Sequence, residues 1–282
     1  MFIMGLTVSN LVQAAPFKTA CQNVLTVTSS GDNGAGSLRQ AIADACVGGV
    51  ISFDRDTTIT LTSGDLDIGK DLSIDGADRQ IILDGNSASR IFNITGGVVN
   101  LNKLILRHGR EASSSGGGIF NAGSLTVSNS VLSDSSSSYF GGGILNQGSL
   151  TITDSSLSGN WAAYNGGGIV NSGSLMVVNS AFAGNSARMG GGIYNEGLLN
   201  VTDSSFADNS ASYGGGIYFE SSGWFGSPAN LTGTRLAGNS GGNCYADSNI
   251  IDGGHNLETG SSCGFEATGT PGSAPVPDED LQ

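Results

Sequence analysis

The chain predicts an all-β fold: a single-stranded parallel β-helix of about seven to nine coils, closed at its N-terminal end by a short capping α-helix. Three observations predict it. A unit of 24 or 25 residues recurs from Gly116, reading GGGIFNAGSLTVSNSVLSDSS, then GGGILNQGSLTITDSSLSGNWA from Gly141, GGGIVNSGSLMVVNSAFAGNSA from Gly166 and GGGIYNEGLLNVTDSSFADNSA from Gly190, with a fifth GGGIYF at Gly214. Inside each copy apolar and small polar residues alternate, as in Leu125-Thr126-Val127, Leu150-Thr151-Ile152 and Leu199-Asn200-Val201, which is the period of a strand and not of a helix. Each copy offers three short strand-like pieces separated by Gly and Ser clusters. Three strands per unit, stacked on identical units, leave each coil paired only with its neighbours, about 4.8 Å away.

The first fifteen residues, MFIMGLTVSNLVQAA, form a modest apolar run that ends in Val12-Gln13-Ala14. Small residues there suit a signal peptidase, so residues 1–15 read as the remnant of a secretory signal, the natural start lying further upstream. No stretch reaches the ~18 apolar residues that span a membrane.

Residues 16–49 read as an N-terminal cap. Val24–Val27 is a strand and Ser30–Gly34 a turn. Ser37 followed by Gln40 forms a capping box, and Leu38, Ala41, Ile42 and Ala45 share one helical face. Gly48-Gly49 is expected to stop that helix. A helix here covers the open end of a solenoid core and blocks end-to-end pairing.

Residues 50–240 read as the β-helix, irregular up to Arg110 and regular from Gly116. Strands are expected at 51–53, 59–61, 72–74, 81–83, 91–93 and 99–101, making two to four degenerate coils. Asp65, Asp67, Asp71, Asp75, Asp78 and Asp84 concentrate there. Calcium needs six to eight converging oxygens; the spacing matches no calcium loop, so these read as solvated turn residues, with calcium held as a minor reading and no other cofactor or metal expected.

Columns follow from the period. Ile119, Ile144, Ile169, Ile193 and Ile217 form one inward apolar column, and Leu132, Leu157, Phe182, Phe206 and Leu236 another. Asn121, Asn146, Asn171 and Asn195 form a polar ladder ended by Phe219, and Ser135, Asn160, Asn185, Asn209 and Asn239 form a second. Stacked amides donate and accept along the stack, and Asn also tolerates the left-handed backbone of tight corners.

Residues 241–265 read as a C-terminal segment, preceded by a loop inserted at 222–228. Residues 266–282, with Pro271, Pro275, Pro277 and Asp278-Glu279-Asp280, are expected to be a disordered tail. Cys21 and Cys46 flank the N-terminal cap, and Cys244 and Cys263 the C-terminal loop. A solenoid of this size is roughly 35–40 Å long, whereas a disulfide needs Cα atoms about 4.4–6.8 Å apart. Pairing is therefore expected within each end, Cys21–Cys46 and Cys244–Cys263, which requires an oxidising compartment.

The GGGI and FxxN words (Phe182–Asn185, Phe206–Asn209) resemble the GGAI and FxxN repeats of polymorphic outer-membrane proteins, and more broadly the secreted right-handed parallel β-helix proteins of bacterial surfaces. The SLRQAI word at Ser37–Ile42 resembles the Cys-Ser-Leu-Arg-Glu-Ala cap of those proteins, with Gly36 in place of the Cys and Gln40 in place of the Glu. The segment after Asn243 is similar to their surface-anchor region, without its Gly/Pro-rich continuation. The resemblance implies a right-handed, pectin-lyase-like coil and an exported protein, secreted or held at the cell surface.

Eleven Lys and Arg stand against 24 Asp and Glu, a net charge of −13. That balance disfavours nucleic acid, which is bound through basic residues that neutralise phosphates, and anionic membrane surfaces likewise. A monomer is expected, contacting a polysaccharide or a cell-surface protein without catalysis. Tyr139, Phe140, Tyr164, Met189 and Tyr213 precede successive GGG words and are expected to line one binding edge, where aromatic rings could stack on sugars.

The competing reading is a polysaccharide lyase or glycoside hydrolase, since pectate lyases and polygalacturonases share the implied fold and use clustered Asp with Arg, Lys or calcium. Asp154 and Asp203 lie two coils apart, about 9–10 Å, near the upper end for an inverting carboxylate pair, but they fall in a repeat column that alternates with Asn129 and Asn179. Arg107, His108 and Arg110 break the pattern just before the first clean repeat and are candidates for a base or a general acid.

Overall fold

The computed structural model describes residues 21–220, 229–246 and 250–265. The signal remnant, the inserted loop at 222–228 and the disordered tail expected from sequence lie outside the described residues. Three long parallel sheets, of ten, nine and eight strands, run the length of the molecule, with a fourth of three strands beside them. Each complete coil contributes one strand to each long sheet, and the coils at the two ends contribute fewer. The ten-stranded sheet begins with Gln22–Val27 and Ala45–Phe53 and ends with Ile250–Asp252.

The sequence columns are ladders. Ile119, Ile144, Ile169, Ile193 and Ile217 pair in succession, each with the next. Leu132, Leu157, Phe182, Phe206 and Leu236 are in register in the nine-stranded sheet, and all face one continuous apolar core that runs from Val27 to Phe265. Phe182 and Phe206 stack there with ring centroids 4.7 Å apart. The polar ladders are buried and saturated. Asn160 Nδ2 donates to Asn185 Oδ1 at 2.9 Å, and Asn185 Nδ2 to Asn209 Oδ1 at 2.9 Å; Asn121, Asn146, Asn171 and Asn195 are chained in the same way at 2.7 Å.

These inward Asn residues do not take the left-handed backbone; two other columns of the repeat do. Asn129, Asp154, Asn179 and Asp203 have φ of 49, 49, 46 and 49°, and Gly233 continues the column at 59°. A second corner column comprises His108, Asp134, Gly159, Gly184, Asp208 and Gly238, also at positive φ. Asn, Asp and Gly interchange at these corners because each tolerates that conformation.

The helix, α1 (Leu38–Asp44), starts at Ser37, whose hydroxyl accepts from the Gln40 amide at 3.2 Å. It buries Leu38, Ala41 and Ile42 against Gln22–Val27, Ala45–Phe53 and Leu66–Ile68. It ends at Asp44, before the expected Gly48-Gly49 stop, because Ala45 is already extended and opens a nine-residue strand. The Arg of the SLRQ word has a structural role: Arg39 Nη2 donates to Asp32 Oδ1 at 2.7 Å and to Gly64 O at 2.7 Å, while Asp32 Oδ2 accepts from the Thr62 and Ser63 amides.

Two disulfides close the ends, Cys21–Cys46 and Cys244–Cys263, each with Cα atoms 4.8 Å apart. Among the described residues no helix is long and apolar enough to cross a membrane.

Candidate functional site

Three surface regions carry the chemistry. The first is the Asn129–Asp203 corner. It borders an open groove of about 650 Å³ lined also by Arg235. Asp154 and Asp203 both lie there, separated by Asn179. Asn179 Nδ2 donates to Asp154 Oδ1 at 2.5 Å and Thr153 Oγ1 to Asp154 Oδ2 at 3.2 Å. Asp203 leans over the next coil, where a Cβ on Gly233 would come within 2.2 Å of its Oδ1. Among the described residues neither carboxylate forms an ion pair. Their left-handed backbone and these contacts explain them as corner residues.

The second region joins residues that the sequence kept apart. Arg107 and His108 stand one coil after Asp84: Arg107 Nε donates to Asp84 Oδ2 at 2.8 Å, and His108 Nδ1 lies 3.2 Å from the same oxygen. Asp84 Oδ1 accepts from the Asn86 amide at 2.9 Å. Asp84 is not a solvated turn residue. Burial pushes its carboxyl up, but the Asn86 amide, Arg107 and His108 outweigh this and hold it below the ordinary 3.8. With Nδ1 bound to a carboxylate, Nε2 is the nitrogen left for proton transfer. The signal for this grouping was register, since Asp84 pairs with Arg107 and Arg107 with Ser133. Arg110 is placed elsewhere, opposite Ser136 in the three-stranded sheet.

Asp65 also departs from the solvated reading. Arg90, buried, donates to Gly116 O and Ser115 O at 2.8 Å and pairs with Asp65 and Glu111 at 3.2 Å each. Burial pushes the Asp65 carboxyl up despite that cation. Among the described residues no three His, Cys, Asp or Glu side chains converge as metal ligands.

The third region is aromatic. Residues before each GGG word form two columns. Phe140, Asn165, Met189 and Tyr213 make one. Tyr139, Tyr164, Arg188 and Ser212 make the other, chained by backbone hydrogen bonds. Tyr139 stacks on Tyr164 with centroids 6.1 Å apart, and Phe140 lies 6.0 Å from Tyr164. These rings are exposed, Tyr164 at 46% and nearby Trp161 at 49%, so they form a projecting ridge.

Beside the ridge lies a trough that the sequence did not reveal. Phe120, Leu145, Val170, Tyr194 and Tyr218 alternate with the inward Ile and Asn residues of the eight-stranded sheet and therefore face outward. They pack into a second apolar cluster outside the main core. The first Gly of each GGG word bends the chain across them: Gly166 has φ of 64°, and a Cβ there would meet Val170 Cγ2 at 2.5 Å. Phe140 and Asn165 form one wall, Gln147, Ser172 and Glu196 the other, enclosing about 450 Å³. The Tyr194 hydroxyl donates to Glu220 Oε2 at 2.8 Å, and burial together with Glu220 raises its pKa.

The Chlamydia polymorphic membrane protein repeat matches residues 203–220. That span runs from the Asp203 corner through Phe206 and Asn209 to the GGGI word at Gly214, so the chain carries a repeat of this type on a parallel β-helix. No curated protein matches the chain. Among solved structures, the crystal structure of pectate lyase Pel9A aligns with a TM-score of 0.44 at 15% identity, covering 85% of this chain and 75% of that one.

Proposed function

We propose that this is an exported bacterial surface protein that contacts glycans or other surface partners through its aromatic ridge, without catalysis. The observation that carries the reading is the ridge itself: Tyr139, Phe140 and Tyr164 are mutually adjacent and exposed, and an apolar ring with a polar tip suits a surface that stacks on sugars or a partner. The repeat at 203–220 supports surface display, and the two disulfides suit an oxidising compartment.

A polysaccharide-active enzyme is the second reading. The Asp84–His108 contact, with Arg107 beside it, favours it, because a carboxylate-oriented imidazole is an arrangement used for general base catalysis. One experiment separates the two. The purified chain is incubated with acidic and neutral polysaccharides, with and without calcium, and both polymer shortening and protein retention are measured. Retention without shortening is expected. Shortening overturns the non-catalytic reading, and an absence of both redirects the search to protein partners.

A further inference from the structure

We propose that the trough over the eight-stranded sheet is a binding site for an uncharged oligosaccharide lying along the solenoid axis. The inference deepens the glycan reading of the ridge and rests on it. From Phe120 to Tyr194 the floor crosses four adjacent strands, or ~14 Å at the spacing of parallel strands, which fits a chain of sugar rings and exceeds one ring. The floor is apolar and the walls combine the Phe140 ring with the polar side chains of Asn165, Gln147, Ser172 and Glu196, the combination that binds the CH faces and the hydroxyl edges of a saccharide.

The polar groups select the ligand's chemistry. Glu196 takes one hydrogen bond at Oε2, from Ser172 at 2.7 Å, and the Asn165 side-chain oxygen has no donor at all, one of only two such buried atoms among the described residues. An orphaned acceptor is costly, and a hydroxyl entering beside Phe140 would relieve it after a turn of the Asn165 side chain. The lining therefore offers acceptors at Glu196 and Asn165 beside donors at Gln147, Ser114 and Ser115, a mixture that suits hydroxyl groups, which both donate and accept.

It also contains no Lys or Arg. The nearest buried cation, Arg90, packs 5.6 Å from the Phe120 ring centroid and is already held by two backbone carbonyls and two carboxylates. Arg188 belongs to the outer Tyr139–Tyr164 column. A sugar carboxylate in the trough would face Glu196 with no cation to neutralise it, within a chain of net charge −13. Neutral sugars are admitted and uronates rejected.

The test is calorimetric titration of the full chain with cello-oligosaccharides, N-acetylated chito-oligosaccharides and oligogalacturonates. At least one neutral series is expected to bind, and oligogalacturonates are not. Phe140→Ala and Asn165→Ala are expected to weaken neutral binding ~10-fold or more, while Met176→Ala, exposed on the ten-stranded sheet, leaves it unchanged. Circular dichroism checks that the variants fold. Equal or tighter binding of oligogalacturonates overturns the proposal. So does neutral binding that survives Phe140→Ala and Asn165→Ala, which leaves the glycan reading standing if Tyr139→Ala or Tyr164→Ala removes it. Binding of no glycan overturns both.

Discussion

Arg107 and Asp84 meet across the gap between two coils, with Nε donating to Oδ2 at 2.8 Å, and His108 completes the contact at 3.2 Å. The contact makes the irregular coils sensitive to acid. Asp84 has a folded pKa below its ordinary 3.8, so its contribution is complete above that value and is lost as the pH falls through the lower folded value. Asp84→Asn keeps the shape and removes the charge, weakening the bonds from Arg107 and His108. It is expected to lower the melting temperature at pH 7 and to flatten its decline below pH 4. Melting curves from pH 3 to 7 check this; a variant that parallels the wild type throughout contradicts it.

The inward Asn ladder gives a second prediction. Asn185 accepts from the Asn160 amide and side chain and donates to Leu157 O and Asn209 Oδ1. Asn185→Ala leaves buried groups on neighbouring coils unpaired, each costing about 1–3 kcal/mol. A loss of several degrees in melting temperature is expected. Asn100→Ala, exposed on the sheet face, serves as the control and is expected to change little. Equal shifts in the two variants would show that the ladder contributes no more than a surface amide.

The ladders were legible in the sequence because each clean repeat has nearly constant length, so position in the repeat equals register. Register was harder to read before Gly116, and there the reading fell short. Leu66–Ile68 is a strand that three residues with Asp67 at their centre and Asp65 just before them did not announce, and Asp84 met Arg107 without any local cue. The aromatic rim was visible as a recurrence before each GGG word, but the trough was not. It depends on the left-handed turn at Gly141, Gly166 and Gly190, which lays the rim beside an outward column that strand alternation alone would leave in solvent. The alternation of Asn and Asp from Asn129 to Asp203 suggested paired carboxylates, whereas the backbone explains it through tolerance of positive φ.

Removing the N-terminal disulfide tests the role of the cap. Cys21 and Cys46 close a loop of sequence separation 25 that includes α1, and such a cross-link contributes ~3 kcal/mol in the chain-entropy account. A Cys21→Ser, Cys46→Ser double variant is expected to exchange amide hydrogens faster over residues 22–53 and to leave 119–219 unchanged, because a solenoid unravels coil by coil from its ends. Uniform acceleration along the chain would instead mean that the coils unfold as one unit.

The two ends should titrate in opposite directions. Glu258 occupies the inward position next to Leu236, is 1% exposed, and accepts from the Cys263 amide with both oxygens at 3.2 Å. Burial raises its pKa above the ordinary 4.5 despite that amide and the Asn243 side chain. A raised carboxyl stabilises the fold fully below its unfolded value and loses that contribution as the pH climbs through the folded one. At the other end, burial raises Asp32, but the Thr62 amide and Arg39 outweigh it and leave it lowered, so its contribution disappears as the pH falls through the folded value. Hydrogen exchange between pH 3 and pH 7, corrected for the intrinsic rate, should show residues 257–265 opening as the pH rises and residues 28–39 opening as it falls. Glu258→Gln is expected to abolish the first trend and leave the second intact. A C-terminal segment that opens on acidification in the wild-type protein would show that the Glu258 carboxylate is held ionised by its donors, and that burial does not govern this end of the coil.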